Sequence, residues 1–256
     1  MLKRWKITIE YMGGGYHGWQ KQDGLRTIQE SVETAIYKFC QQNISITGAG
    51  RTDAGVHAWA QIAHFDLDYG ARPLEGFELA KALNAHLLND TIIIRHAEVV
   101  ADDFHARFSA HNKLYTYRII CNRRARPVMD LGKAWHFKHA LDVKSMYEAA
   151  QHLIGHHDFS TFRDSNCQAN SPMKTIERID IKERKYDDFS GQELLIEVEG
   201  KSFLHHQVRN IAGTLSLVGE GKWKPIDVKY ALESKDRTEG GPTAPADGLY
   251  MTRIDY

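Results

Sequence analysis

The sequence has little cysteine, little proline and no excess of charge of either sign. Its 256 residues include 3 cysteines and 6 prolines, and 33 basic side chains balance 33 acidic ones. Three widely spaced cysteines without a C-x-x-C pair argue against a disulfide framework and against a cysteine-based zinc site. A hydrophobic content of 42% is too high for a disordered chain. We therefore expect a globular protein in a reducing compartment, the cytoplasm.

Long apolar runs are also missing. No stretch approaches the roughly 18 consecutive apolar residues of a membrane span, and the N-terminus lacks an apolar segment of signal-peptide length. We expect no membrane partner. The zero net charge gives no overall indication of a nucleic-acid partner either, but the charges are unevenly distributed. Residues 1–103 contain 10 basic and 13 acidic side chains, whereas residues 104–256 contain 23 and 20.

Basic and aromatic residues are interleaved in the segment 104–129, which contains no acidic residue. Along its predicted strand, Lys113, Tyr115 and Tyr117 share one face. Proteins use cations and ring faces together to bind a phosphate backbone and to stack an unpaired base. A strand with a solvated basic edge has the same composition, so the pattern alone leaves both interpretations open. The basic residues are Arg107, Lys113, Arg118, Arg123, Arg124 and Arg126.

Hydrophobic periodicity predicts an α+β fold with mainly antiparallel sheets. The first half reads β-α-β-β-α-β, a split βαβ unit in which Thr27 caps the first helix. Its strands are expected at 6–11, 44–49, 58–67 and 91–99, with a second helix at 74–88. The second half repeats this order without sequence identity. Strands are expected there at 114–120, 176–181, 194–198 and 248–255, and helices at 143–154, 205–218 and 226–232. We therefore predict two domains, residues 1–106 and 107–256.

A glycine-rich loop follows the first predicted strand. Gly13–Gly18 fits G-x-G-x-x-G, the pattern of a dinucleotide site. In that motif the helix begins within the glycines, whereas here residues 19–24 intervene before the cap at Thr27. A loop that brings Trp19 and Gln20 to a substrate is a better interpretation than a cofactor site. An ordinary surface loop is favoured over either of these, and no cofactor is expected.

A second candidate loop, Gly48–His57, lies between two predicted strands. It places one carboxylate, Asp53, two residues after one guanidinium, Arg51, among glycines that allow another backbone to come close. Asp-Ala-Gly also forms tight turns, because the Asp side chain accepts an amide hydrogen bond two residues later. The loop is longer than a simple hairpin connection, however, and its remaining polar residues exceed what a turn needs.

The third candidate is His205–Asn210, which begins a largely apolar helix. Arg209 within it is expected to have a carboxylate or phosphate partner, because an unpaired buried cation is costly. The histidine pairs at 156–157 and 205–206 lack the i, i+4 spacing of a metal site, so we expect no metal.

Together these blocks resemble the tRNA pseudouridine synthase family of the TruA type over most of the chain. The most specific block is Gly50-Arg51-Thr52-Asp53-Ala54-Gly55-Val56-His57-Ala58. Others in the expected order are Tyr11 through Gln22, Arg107-Phe108-Ser109-Ala110 with Tyr115-Thr116-Tyr117, Gly155-His156-His157-Asp158-Phe159, Val208-Arg209-Asn210-Ile211-Ala212-Gly213 and Ala244-Pro245. Departures are Met12-Gly13-Gly14 in place of Asp-Gly-Thr, Lys113 in place of arginine, and His206-Gln207 before Val208 in place of His-Met.

The resemblance implies isomerisation of uridine to pseudouridine in the anticodon stem-loop of tRNA, at tRNA positions 38–40. It also implies a homodimer without cofactor or metal, with two ferredoxin-like domains in each chain facing across a cleft. Asp53 would be the nucleophile, attacking C1′ or C6 of the uridine. Tyr115 would act on the C5 proton, and Arg209 would keep Asp53 ionised. The implied substrate-binding residues are Arg51, Thr52, His57, Lys113 and Tyr115, with Arg51 filling the space left by the flipped base.

Two other functions are compatible with parts of the sequence. A non-catalytic RNA-binding protein would keep the basic, aromatic second half but would not need Asp53, Tyr115 and Arg209 together. A nicotinamide-dependent oxidoreductase would need Gly13–Gly18 to hold a dinucleotide.

Overall fold

The computed structural model describes residues 2–70 and 73–256, and the chain forms two compact units. The first comprises Met1–His111 and Met251–Tyr256, and the second comprises Asn112–Tyr250. The first unit therefore extends beyond the predicted boundary at residue 106 and includes the end of the chain. The reason is that the last strand of the chain pairs with a strand of the first unit's sheet. In addition, the Tyr256 hydroxyl donates to the carbonyl of Ala106 (2.7 Å).

The first unit is a sheet in the order β4-β1-β3-β11, with β2 paired to β3 and two helices. Strand β1 is antiparallel to both β3 and β4. Its elements are β1 (Leu2–Tyr11), α1 (Ile28–Cys40), β2 (Thr47–Gly48), β3 (His57–Asp68), α2 (Gly76–His86), β4 (Ile92–Val100) and β11 (Leu249–Asp255). The predicted β-α-β-β-α-β order is confirmed, although the strand expected at 44–49 is reduced to two residues.

Helix α1 begins where the sequence predicts it. The Thr27 hydroxyl accepts the amide hydrogen of Glu30 (3.3 Å), which satisfies one of the unpaired amides at a helix start. The helix buries its apolar stripe, including Ile28, Val32 and Ile36. This packing fixes the position of the glycine-rich loop that enters the helix.

The second unit contains an antiparallel sheet in the order β5-β10-β9, with β6 parallel to β5, and a separate pair β7-β8. Its elements are β5 (Asn112–Cys121), β6 (Trp135–His136), α3 (Val143–Gln151), β7 (Gly155–Asp158), β8 (Met173–Ile176), β9 (Arg178–Lys185), β10 (Gln192–Gly200), α4 (Gln207–Gly219) and α5 (Pro225–Ser234). The mixed α and β composition with mostly antiparallel sheet is confirmed. The short strands β6, β7 and β8 were not predicted, because two to four residues carry no readable alternation. None of the helices in the described part of the chain combines the length and apolarity needed to cross a membrane.

Candidate active site

Asp53 lies on the loop between β2 and β3, within a turn. The Val56 amide donates to the Asp53 carbonyl (3.1 Å), and Gly55 adopts a positive φ of 82°. The Asp53 side chain is half-buried, and Arg51 is exposed. The Gln61 side-chain amide holds the start of the loop by donating to the Gly50 carbonyl (2.8 Å). The turn predicted from Asp-Ala-Gly is present, and it presents a carboxylate on a fixed backbone.

The glycine-rich loop 12–19 braces this Asp53 loop. The Trp19 amide donates to the Thr52 carbonyl (3.0 Å). A Cβ added at Gly18, whose φ is +84°, would lie 2.6 Å from the Thr52 carbonyl oxygen, and one added at Gly13 would lie 2.0 Å from that of Val56. Glycine is needed at both positions because another part of the same chain occupies the space. Gly13 and Gly18 thus serve the packing of two loops, and α1 begins only at Ile28, so the loop lacks the junction of glycines and helix start that a dinucleotide site uses.

Two buried polar contacts strengthen the brace. His57 is 1% exposed, and its Nδ1 accepts the amide hydrogen of Gly13 (2.9 Å). The hydroxyls of Tyr11 and Thr52 lie 2.7 Å apart, and burial raises the pKa of the Tyr11 phenol, which therefore stays protonated at neutral pH. These contacts give Thr52 and His57 a supporting role in the loop. Their predicted contact with substrate stays a prediction.

Trp19 does not reach outward. Its indole is 2% exposed and lies against Gly48, where an added Cβ would be 2.7 Å from the ring. The expectation that the loop brings Trp19 to a substrate is wrong, because the side chain belongs to the core beneath the Asp53 loop. Gln20 is also engaged, through a hydrogen bond from its side-chain amide to Gln29 (2.9 Å).

In the second unit, Tyr115 lies on β5 opposite Val198 of β10. Its ring is 9% exposed and meets the ring of Phe203 edge-on, with centroids 5.1 Å apart. Lys113, two residues earlier, is half-buried. Tyr117 is fully buried, and its hydroxyl donates to the Pro245 carbonyl (2.8 Å), so it cannot stack on a base.

Arg209 lies in the first turn of α4. Its Nε donates to the Ala244 carbonyl (2.8 Å), and the Ala244 amide donates back to the Arg209 carbonyl (3.2 Å). Gly213, one turn later, allows the same segment to approach, because an added Cβ would lie 1.7 Å from the Pro242 carbonyl oxygen. Two motifs that are far apart in sequence are thereby joined, and the Arg209 backbone is fixed.

Asp164 was not predicted and organises the entry to α4. Its carboxylate lies 2.6 Å from Nδ1 of His206, which has a positive φ of 60°, and 3.6 Å from Nδ1 of His205. Burial opposes its ionisation, but hydrogen bonds from the Asn166 amide and from His206 outweigh this effect and lower the pKa of Asp164. The sequence carries no signal for the pair, because 42 positions separate Asp164 from His206.

The structure thus gathers Arg51, Thr52, Asp53 and His57 around one braced loop of the first unit. Lys113, Tyr115 and Arg209 belong to the second unit, on β5 and α4.

The chain is similar to known proteins along its whole length. A family model described as tRNA pseudouridine synthase matches residues 7–109 and 149–256. Proteins named tRNA pseudouridine synthase A are 48% identical over 255 residues in Rhodospirillum centenum, covering 100% of both chains, and 47% identical over 255 residues in Caulobacter vibrioides, covering 100% of this chain and 99% of that one. Among solved structures, a chain in the crystal structure of a Cbf5-Nop10-Gar1 complex aligns with 13% identity and a TM-score of 0.35. That alignment covers 96% of this chain and 48% of that chain, and its score is too low to establish a shared fold.

Proposed function

The chain belongs to the tRNA pseudouridine synthase family, and we infer that it isomerises uridine to pseudouridine in tRNA. The observation that carries this inference is the braced Asp53 loop. A half-buried carboxylate is presented on a turn whose two ends are held by the backbone around Gly13 and Gly18. A carboxylate nucleophile requires such a fixed position, because reactivity depends on a near-attack geometry.

The reaction needs no co-reactant. The bond between C1′ and N1 breaks, the uracil rotates, and a bond forms between C1′ and C5, while C5 loses a proton and N1 gains one. Asp53 forms the covalent intermediate, at C1′ or at C6 of the ring. Tyr115 removes the C5 proton, and Arg209 keeps the carboxylate ionised. The roles of these two residues rest on the family motifs that contain them.

The substrate region is the anticodon stem-loop, with Arg51 occupying the space of the flipped uridine. Its exposed position on the Asp53 loop suits that role. Lys113, Thr52 and His57 complete the proposed substrate contacts. The same resemblance supports a cytoplasmic homodimer with two ferredoxin-like domains in each chain.

Tritium release tests the function directly. Transcripts of tRNA labelled at C5 of uridine lose tritium to water only when the C5–H bond is broken. We expect release by the wild-type protein, limited to transcripts that retain uridine in the anticodon arm. The Asp53→Ala variant should be inactive with an unchanged far-UV circular dichroism spectrum. Tight tRNA binding without any release would instead indicate a non-catalytic RNA-binding protein.

A further inference from the structure

Two segments of the second unit, 122–133 and 186–191, form one exposed surface that we call the tip platform. The first segment follows β5, and the second is the turn between β9 and β10. Three side-chain bonds join them: Arg123 to Asp187 (3.0 Å), Tyr186 to Asp130 (2.8 Å) and Ser190 to the carbonyl of Asn122 (3.0 Å). The platform is therefore a fixed feature and not a pair of independent loops.

The tip platform exposes large apolar side chains. Phe189 is 93% exposed, Met129 83% and Val128 64%. The turn that carries Phe189 is held by Asp187, whose Oδ1 accepts the amide hydrogens of Phe189 (3.0 Å) and Gly191 (2.9 Å). Apolar side chains clustered on a fixed surface are typical of interaction sites.

The charge left on the tip platform is positive. Each of its carboxylates is paired: Asp130 with Arg118, Asp187 with Arg123, and Asp188 with Lys185. Arg124 and Arg126 are exposed, and neither forms an ion pair with any residue that the structure describes. The surface thus combines two uncompensated guanidinium groups with one projecting aromatic ring.

We propose that the tip platform is a second contact surface for tRNA, separate from the Asp53 loop. Arg124 and Arg126 bind backbone phosphates, and Phe189 stacks on an unpaired base. The proposal rests on the proposed function, which supplies an RNA substrate. A second copy of the chain fits less well, because the platform's own carboxylates are already paired and would offer Arg124 and Arg126 of the other copy no free anionic partner.

The test compares tRNA affinity at several salt concentrations. We expect Arg124→Ala/Arg126→Ala to weaken binding at low salt and to reduce the slope of log K against log salt by about 1.4–1.8, because each neutralised phosphate contributes about 0.7–0.9. Phe189→Ala should weaken binding about tenfold and leave the slope unchanged, since stacking releases no counterion. Arg124→Lys/Arg126→Lys should retain the slope, because an ammonium also neutralises a phosphate.

Two control variants match these changes. Lys222→Ala removes a cation that is paired with Glu220 elsewhere in the second unit, and Phe77→Ala removes a ring that is 78% exposed on α2. Both should bind tRNA as the wild type does. Wild-type affinity and slope in the Arg124 and Phe189 variants would overturn the proposal. So would a fall in oligomeric mass in sedimentation, which would assign the surface to self-association. Tritium release by the wild-type protein at saturating tRNA separates the two possible failures. No release would contradict the proposed function, whereas normal release with unchanged binding by the variants would contradict only the role of the tip platform.

Discussion

Substituting Gly13 with alanine should displace the Asp53 loop, whereas the same change at Gly14 should not. A Cβ at Gly13 would lie 2.0 Å from the Val56 carbonyl oxygen and 2.8 Å from the Gly55 carbonyl carbon. At Gly14 no atom lies within 4 Å of the added Cβ, and neither glycine has a positive φ. The two variants therefore separate the steric contact from the general effect of replacing glycine.

The magnitude follows from the geometry. Real Cβ atoms essentially never approach another heavy atom closer than 3.0 Å. The two backbones must therefore separate by about 1 Å or more, a displacement that can lower turnover about 100-fold when it reaches a reacting group. Forcing an extra methyl into a closely packed site should also lower the free energy of unfolding by about 1–3 kcal/mol. The hydrogen bond from the Gly13 amide to His57 would be strained by the same movement.

The assay is kcat/KM for tritium release, together with urea unfolding of each variant. Gly13→Ala should lose about 100-fold in kcat/KM, and Gly14→Ala should remain within about twofold of the wild type, because its added methyl meets no atom. Wild-type turnover in Gly13→Ala would refute the reasoning. Equal losses in both variants would also do so, since they would show that loop flexibility and not the contact with Val56 matters.

Three further predictions concern single side chains. Tyr115→Phe should keep the fold, because the ring remains, and should lower kcat about 10²- to 10⁴-fold by removing the proton acceptor, as measured by tritium release at saturating tRNA. Arg209→Ala should lose activity and about 1–3 kcal/mol in urea unfolding, because its bond to the Ala244 carbonyl is lost; wild-type stability of Arg209→Ala would contradict this role. The hydrogen bond from Arg4 lowers the pKa of Asp66 below its usual value of 3.8, so this pair stabilises the fold above that pH and stops doing so as the pH falls through the lowered pKa. Asp66→Asn should therefore be less stable than the wild type in urea at pH 7, and the difference should shrink as the pH falls below 3.8; a difference that stays the same in acid would argue against the ion pair.

The elements with strong local signals were predictable from the sequence. Thr27 marks the start of α1 because its hydroxyl satisfies an amide three residues later, and the alternation of β1 matches its buried face. The turn at Asp53 was also predictable, although its hydrogen bond runs from the Val56 amide to the Asp53 backbone carbonyl and Gly55 supplies the positive φ. Local chemistry was sufficient in each of these cases.

Contacts between distant parts of the chain were not predictable. The glycines at 13 and 18 indicate a close approach, but nothing local identifies the approaching backbone as that of Thr52 and Val56. An indole on a glycine-rich loop suggests a binding residue. Trp19 is instead a core residue, because Gly48 leaves room for its ring.

The basic residues of segment 104–129 have different roles in the structure, and the sequence did not show which residue has which role. Arg118 and Arg123 are used in ion pairs with residues far along the chain, whereas Arg124 and Arg126 remain exposed. Composition cannot distinguish these cases, because the partners come from other strands.

The role of Asp53 as nucleophile is tested most directly by Asp53→Asn, which keeps the size of the side chain and the backbone bond from Val56 but removes the carboxylate. The measurement is single-turnover tritium release from C5-labelled tRNA, with thermal unfolding as the check on folding. We expect no release above background from a variant that unfolds at the wild-type temperature. Release within tenfold of the wild-type rate would show that another group attacks the uridine.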